Sequence, residues 1–162
     1  MVPWKSLAML LLGSTVVACL LLVAGCGGSG RLSDGEYKAR LNTLNQEVTN
    51  AETAAQTTVG PTATVSAIRS ALTRVASVHQ QVGDEVAKLK PPKEAADANA
   101  LLARGSHDLA SELRAVVQKL KPVTKTTVAL GLVQQELQNA NGAKELDRAV
   151  TELKKLGLSS GS

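Results

Sequence analysis

The chain has 162 residues, 44% of them hydrophobic and 20% charged, with a formal net charge of +4. That length suits one domain with a modest core. The charges are scattered rather than gathered into a basic stripe, and there is one Tyr, one Trp and no Phe, which excludes a nucleic-acid reader built on aromatic stacking.

The first element runs from Met1 through the single charge at Lys5 into residues 7–24, which carry no charge, and ends at Leu22-Val23-Ala24-Gly25-Cys26 before a Gly-Ser stretch. A basic start, an apolar middle and a small-residue exit are the order of a secretory signal peptide. The exit with its cysteine resembles the bacterial lipobox. That resemblance implies a diacylglyceryl group with palmitate-class acyl chains on the Cys26 sulfur, cleavage just before Cys26, and an amino group open to further acylation. The rival reading is an uncleaved span, for which residues 7–24 are near the lower limit of what crosses a bilayer; it too leaves the domain tethered to a membrane. Cys19 lies inside the apolar run and leaves with it, as does Trp4. With Cys26 committed to lipid, no disulfide remains to be made, so packing carries the stability.

Residues 27–31, Gly-Gly-Ser-Gly-Arg, read as a flexible tether. Ser33-Asp34-Gly35-Glu36 has the spacing of a capping box, with Leu32 and Tyr37 placed as a hydrophobic staple. Apolar residues then recur at Tyr37, Leu41, Leu44, Val48, Ala51 and Ala55, steps of three and four that share one helix face. This helix is expected to end between residues 58 and 61. A second stripe, Val65, Ile68, Leu72, Val75, His79, Val82, Val86 and Leu89, stops at Pro91-Pro92. A third helix is expected to begin there at once, favoured by Glu94 near its N-terminus, with Ala98, Leu102, Gly105, Leu109, Leu113, Val116 and Leu120 on its inner face, and to end at Lys121-Pro122.

Thr124 is the expected cap of a fourth helix, whose apolar positions are Leu130, Val133, Leu137, Ala140, Ala143, Leu146, Val150 and Leu153. Asn141-Gly142 is a point where it can bend or break. Gly157 is placed as a left-handed cap, with Leu158 set to touch Leu153 as in a Schellman motif. No segment reads as a strand.

The expectation is therefore all-α: an antiparallel up-down bundle of four helices with coiled-coil-like packing, or three longer helices behind a loose first segment. Its parts are a signal peptide (1–25), the lipidated Cys26 with its tether (26–32), the bundle (33–158) and a tail (159–162). An even number of passages puts residues 89–93 and 154–158 at the end nearest Cys26, with the turns at Gly60-Pro61 and Pro122-Val123 roughly 35 to 40 Å away at about 1.5 Å per residue. The near end carries Lys88, Lys90, Lys93, Lys154 and Lys155.

Beyond the lipobox, Tyr37-Lys38-Ala39-Arg40-Leu41, then Leu89-Lys90-Pro91-Pro92 with His107-Asp108-Leu109, and finally Leu156-Gly157-Leu158 are similar to stretches of small, all-helical actinobacterial lipoproteins of unassigned function. Members of that group often carry one cysteine in the first helix and another after the last motif. Here those places hold Asn45 and Ser160.

Chemistry-bearing residues are few. His79 and His107 are the only histidines, on helices that bring them to similar heights. A transition-metal site asks for three or four ligands, and Asp108 and Glu112 do not give the Glu-x-x-His spacing of di-iron bundles, so packed or hydrogen-bonded histidines are expected. Ser106-His107-Asp108 contains the three residue types of a hydrolase triad, but neighbours on one helix point in different directions. Asp84-Glu85 reads as solvated surface.

The functional expectation is a lipid-anchored protein on the extracytoplasmic face of the cell membrane, a non-enzymatic binding or structural module of the envelope. Its partners are membrane lipid, through acylated Cys26, and an envelope protein or ligand; no nucleic acid, metal or cofactor is expected. The rival is a carrier or sensor holding a small ligand or metal inside the bundle.

Overall fold

The computed structural model describes residues 30–60 and 62–159. The expectations for the signal peptide, Cys26, most of the tether and residues 160–162 lie outside the described residues. Among the described residues five α-helices follow in order: α1 (Asp34–Thr58), α2 (Val65–Lys88), α3 (Ala96–Lys119) after a short 3-10 helix (Lys93–Ala95), α4 (Thr126–Asn139) and α5 (Asn141–Lys155).

Local chemistry sets most of the boundaries. At α1 the Glu36 backbone N–H donates to Ser33 Oγ at 3.4 Å and the Ser33 N–H donates to Glu36 Oε2 at 2.9 Å, the reciprocal capping box. Leu32 packs in the same cluster as Tyr37, which closes the staple. α2 starts at Thr64, whose hydroxyl oxygen accepts from the Ala67 N–H at 3.1 Å. Its end is set by Leu89 in extended conformation before the two prolines. α3 does not begin at once after Pro92. A 3-10 turn intervenes, because Pro92 itself is extended and the chain must tighten before the α ladder can start.

At the other terminus the Leu158 N–H donates to the Leu153 carbonyl at 2.8 Å and the Gly157 N–H donates to the Lys154 carbonyl at 3.0 Å. Gly157 has φ of 69°, a conformation only glycine takes without strain, and Leu153 and Leu158 share a cluster. That is the Schellman motif in full.

The fourth expected helix is two helices. Ala140 leaves the helical region, at φ −58° and ψ 121°, and the ladder restarts at Asn141. Glu112 of α3 fixes the break: its two carboxylate oxygens accept the backbone N–H groups of Asn141 at 2.8 Å and Gly142 at 3.2 Å. An anion on free N–H groups at a helix start is favoured by both hydrogen bonding and the helix dipole. Thr124 is not the cap of α4. The helix starts at Thr126 with Lys125 at the N-cap position, and the Thr126 hydroxyl donates instead to the Ala63 carbonyl at 2.7 Å.

The passages alternate in direction. The start of α1 meets the end of α2, where the Leu32 N–H donates to the Lys90 carbonyl at 2.8 Å and Arg31 Nη1 donates to the Pro91 carbonyl at 2.9 Å. The start of α4 meets the α1–α2 connection through Thr126 and Ala63. The end of α5 returns to the start of α1, since Leu153 and Leu158 pack with Tyr37, Leu41, Ala95 and Ala98. α4 and α5 together make one passage, so the result is an all-helical up-down bundle of four passages, the last in two pieces. Residues 89–93 and 154–158 lie at the end where α1 begins, as the even number of passages requires.

Three apolar clusters run along this bundle. At the far end Ala129 and Val133 of α4 close over Ile68, Leu72, Val116 and Leu120. In the middle Val82, Val86 and Ala103 are buried beneath the half-buried Leu44, Val48 and Leu102. At the near end Tyr37 is fully buried. Its hydroxyl donates to Asn99 Oδ1 at 3.1 Å, and Asn99 Nδ2 donates to the Val86 carbonyl at 3.1 Å. This chain of bonds ties α1, α3 and α2 together and satisfies two polar groups that are out of contact with water.

Candidate functional site

The site follows from how the last passage is divided. α1 and α5 close the ring at the near end, and α4 covers the far end, which leaves the middle of the bundle bounded by α1, α2, α3 and α5 around a partly open cavity of about 160 Å³. Its wall is aliphatic: Leu41, Leu44 and Val48 from α1, Val82 and Val86 from α2. Leu102 of α3 and Leu146, Val150 and Leu153 of α5 complete it. Asn45, His79, Ser106 and Ser159 bring the polar atoms.

His79 is 4% exposed, and neither ring nitrogen has a hydrogen-bond partner among the described residues. Its Nε2 lies 3.5 Å from Glu52 Oε1 of α1, within ion-pair range and beyond a well-formed hydrogen bond. Ser106, on the same wall, is 1% exposed. The expectation that His79 belongs to the apolar stripe of α2 holds. The ring is packed, as expected, but it also borders a cavity, and neither nitrogen makes a hydrogen bond among the described residues.

His107 is placed elsewhere. Its Nε2 is 3.0 Å from Asp84 Oδ1, its ring lies against Gly83 of α2, and it is half-exposed. The two histidines therefore serve different surroundings. Among the described residues no group of three or more His, Cys, Asp or Glu could hold a metal ion. Ser106 is buried, His107 turns to Asp84, and Asp108 is exposed, so the three do not converge. Glu112, the other carboxylate near His107 in sequence, caps α5. A second hollow of about 140 Å³ at the α4–α5 break has Glu112 and Glu136 on its wall, and both carboxylates are engaged, Glu136 with Lys119 at 2.7 Å.

Sequence reasoning passed over Glu52. The signal was there, since it stands four residues after Val48 and so on the edge of the same stripe. Cys26, the expected lipid-attachment residue, lies outside the described residues. Among the described residues no helix is long and apolar enough to cross a membrane.

No family model, no curated protein and no solved structure matches this chain.

Proposed function

We propose that the chain is a lipoprotein anchored through Cys26 on the extracytoplasmic face of the cell membrane, where its helical domain acts as a non-enzymatic binding or spacer module. The observation that carries this reading is the placement of the chain's ends. Arg31 and Leu32 are bonded to Pro91 and Lys90, so the domain leaves its tether beside the α2–α3 turn and the end of α5. That end carries Lys88, Lys90, Lys93, Lys154 and Lys155. A lysine near an anionic bilayer surface gains about 1 kcal/mol at best, and salt weakens it. Lys88 and Lys155 also pair with Glu85 at 3.1 Å and Glu152 at 2.7 Å, which leaves Lys90, Lys93 and Lys154 as the main contributors.

Replacing Cys26 with serine tests the anchor. The variant should keep its first 25 residues and carry no lipid, because the sulfur is the acceptor in lipobox chemistry. Normal cleavage with membrane retention of that variant would end the lipoprotein reading.

A second reading is supported by His79: a domain that holds a small ligand between its helices. A buried imidazole without a hydrogen bond among the described residues, on the wall of an aliphatic cavity, is the kind of polar group that orients a small ligand.

A further inference from the structure

We propose that the cavity between α1, α2, α3 and α5 binds an uncharged, mainly apolar molecule, about the size of a six-carbon ring, through a single hydroxyl group held by His79. The inference rests on the small-ligand reading and is independent of the lipid anchor.

Size comes first. An enclosed aliphatic cavity of about 150 Å³ admits benzene; the cavity here has a similar volume, about 160 Å³, and opens to solvent beside Val150. The wall asks for the same kind of body, since Leu44, Val48, Val82, Val86, Leu146 and Val150 offer methyl groups and nothing that would solvate a polar molecule.

The head group follows from His79. Buried polar groups are almost always partnered, yet this ring has neither nitrogen satisfied among the described residues while 4% exposed. A neutral imidazole carries one donor and one acceptor, and a hydroxyl can answer either. Ser106, 1% exposed on the same wall, adds a second hydroxyl within the cavity's lining.

Charge excludes the alternatives. Glu52 Oε1, 3.5 Å from Nε2, repels a carboxylate or phosphate brought to the same ring. A cation would have to shed its water against an aliphatic wall with no aromatic face to receive it, since the one aromatic residue of the domain, Tyr37, is fully buried with its hydroxyl bonded to Asn99.

The test uses phenol and benzene with the full chain in lipid nanodiscs, because detergent tails would compete for the cavity. Histidine rings are isotope-labelled, and His107, beside Asp84, serves as the internal reference. Phenol should move the His79 ring resonances saturably and leave His107 in place. Saturation transfer from protein methyls, read at matched free concentrations, should show benzene binding about tenfold more weakly, the worth of one hydrogen bond. In H79L that preference should vanish. V150F, which adds a ring at the partly exposed rim, should abolish the phenol shift with helical circular dichroism unchanged, so the outcome does not depend on H79L folding. Equal binding of phenol and benzene in the unaltered chain would overturn the hydroxyl assignment and leave the small-ligand reading standing. Failure of both to bind would overturn the site and that reading together.

Discussion

Gly142 of α5 and Gly105 of α3 face each other so closely that a methyl group on Gly142 would lie 2.7 Å from the Gly105 carbonyl oxygen and collide with the Leu109 backbone nitrogen. A methyl group on Gly105 would in turn lie 3.1 Å from the Gly142 carbonyl oxygen and 3.0 Å from the Leu146 nitrogen. Backbone touches backbone here, and Arg104, whose Nε donates to both Glu145 oxygens at 3.0 Å and whose Nη2 lies 2.9 Å from Oε1, bridges the same two helices from the surface. This contact fixes α5 against α3 and so sets one wall of the His79 cavity.

G142A should therefore force the two helices apart and destabilise the domain by about 1 to 3 kcal/mol, the usual cost of overpacking. G131A is the control. Nothing lies within 4 Å of a methyl group there, and exchanging a mid-helix glycine for alanine should stabilise by about 0.5 to 1 kcal/mol. Thermal melts followed by circular dichroism would show shifts of opposite sign. A neutral G142A would mean that the close approach is not maintained in solution.

Glu112 reaches from α3 to the first two N–H groups of α5. E112A leaves those donors without their carboxylate and should cost about 1 kcal/mol, as loss of a helix cap does. E112Q keeps one accepting oxygen and should fall between E112A and the unaltered chain. Denaturant titration of the three proteins gives the order directly, and an E112A midpoint equal to that of the unaltered chain would show that the cap contributes nothing.

Much of this architecture is legible in the residues themselves. The capping box at Ser33, the prolines at 91 and 92 and the Gly157-Leu158 ending are local signals, satisfied by atoms a few residues away. The stripes on α2 and α3 are equally plain, because both helices bury one face continuously. The break at Ala140 is visible only as a risk in Asn141-Gly142, since the residue that settles it, Glu112, stands 29 positions away in sequence. The cavity is not legible at all. It lies between α1, α2, α3 and α5, and no periodicity within one helix reports a gap among several. His79 reads as one more stripe residue for the same reason, and what distinguishes it is a buried ring with no hydrogen bond among the described residues and Glu52 of α1 3.5 Å away.

Tyr37 gives a pH-dependent signature. Burial holds its phenol neutral and pushes its pKa from 10 up to about 12. The folded pKa is the higher one, so this contribution to stability is complete below pH 10 and is lost as pH rises toward 12. As the chain's single tyrosine, its phenolate band can be followed without ambiguity. The band should appear well above the ordinary tyrosine range and together with loss of helix. Y37F should abolish this alkaline limb and, by orphaning Asn99 Oδ1, lower stability at neutral pH by about 1 kcal/mol. Ordinary titration of Tyr37 in a fully helical protein would contradict its burial.

The anchored reading makes one geometric demand, that the end of the bundle bearing Lys90, Lys93 and Lys154 faces the bilayer. A fluorescent probe is placed either at Ser159, beside the Leu158 cap, or at Thr62, next to the far turn, and the lipidated protein is carried on vesicles containing quencher-labelled lipid. With α2 at 24 residues and about 1.5 Å per residue, the two probes stand roughly 35 Å apart along the bundle. Strong quenching at Ser159 with little at Thr62 is the expected result. Equal quenching, or stronger quenching at Thr62, would mean that the bundle lies flat or stands inverted, and would contradict the anchored orientation.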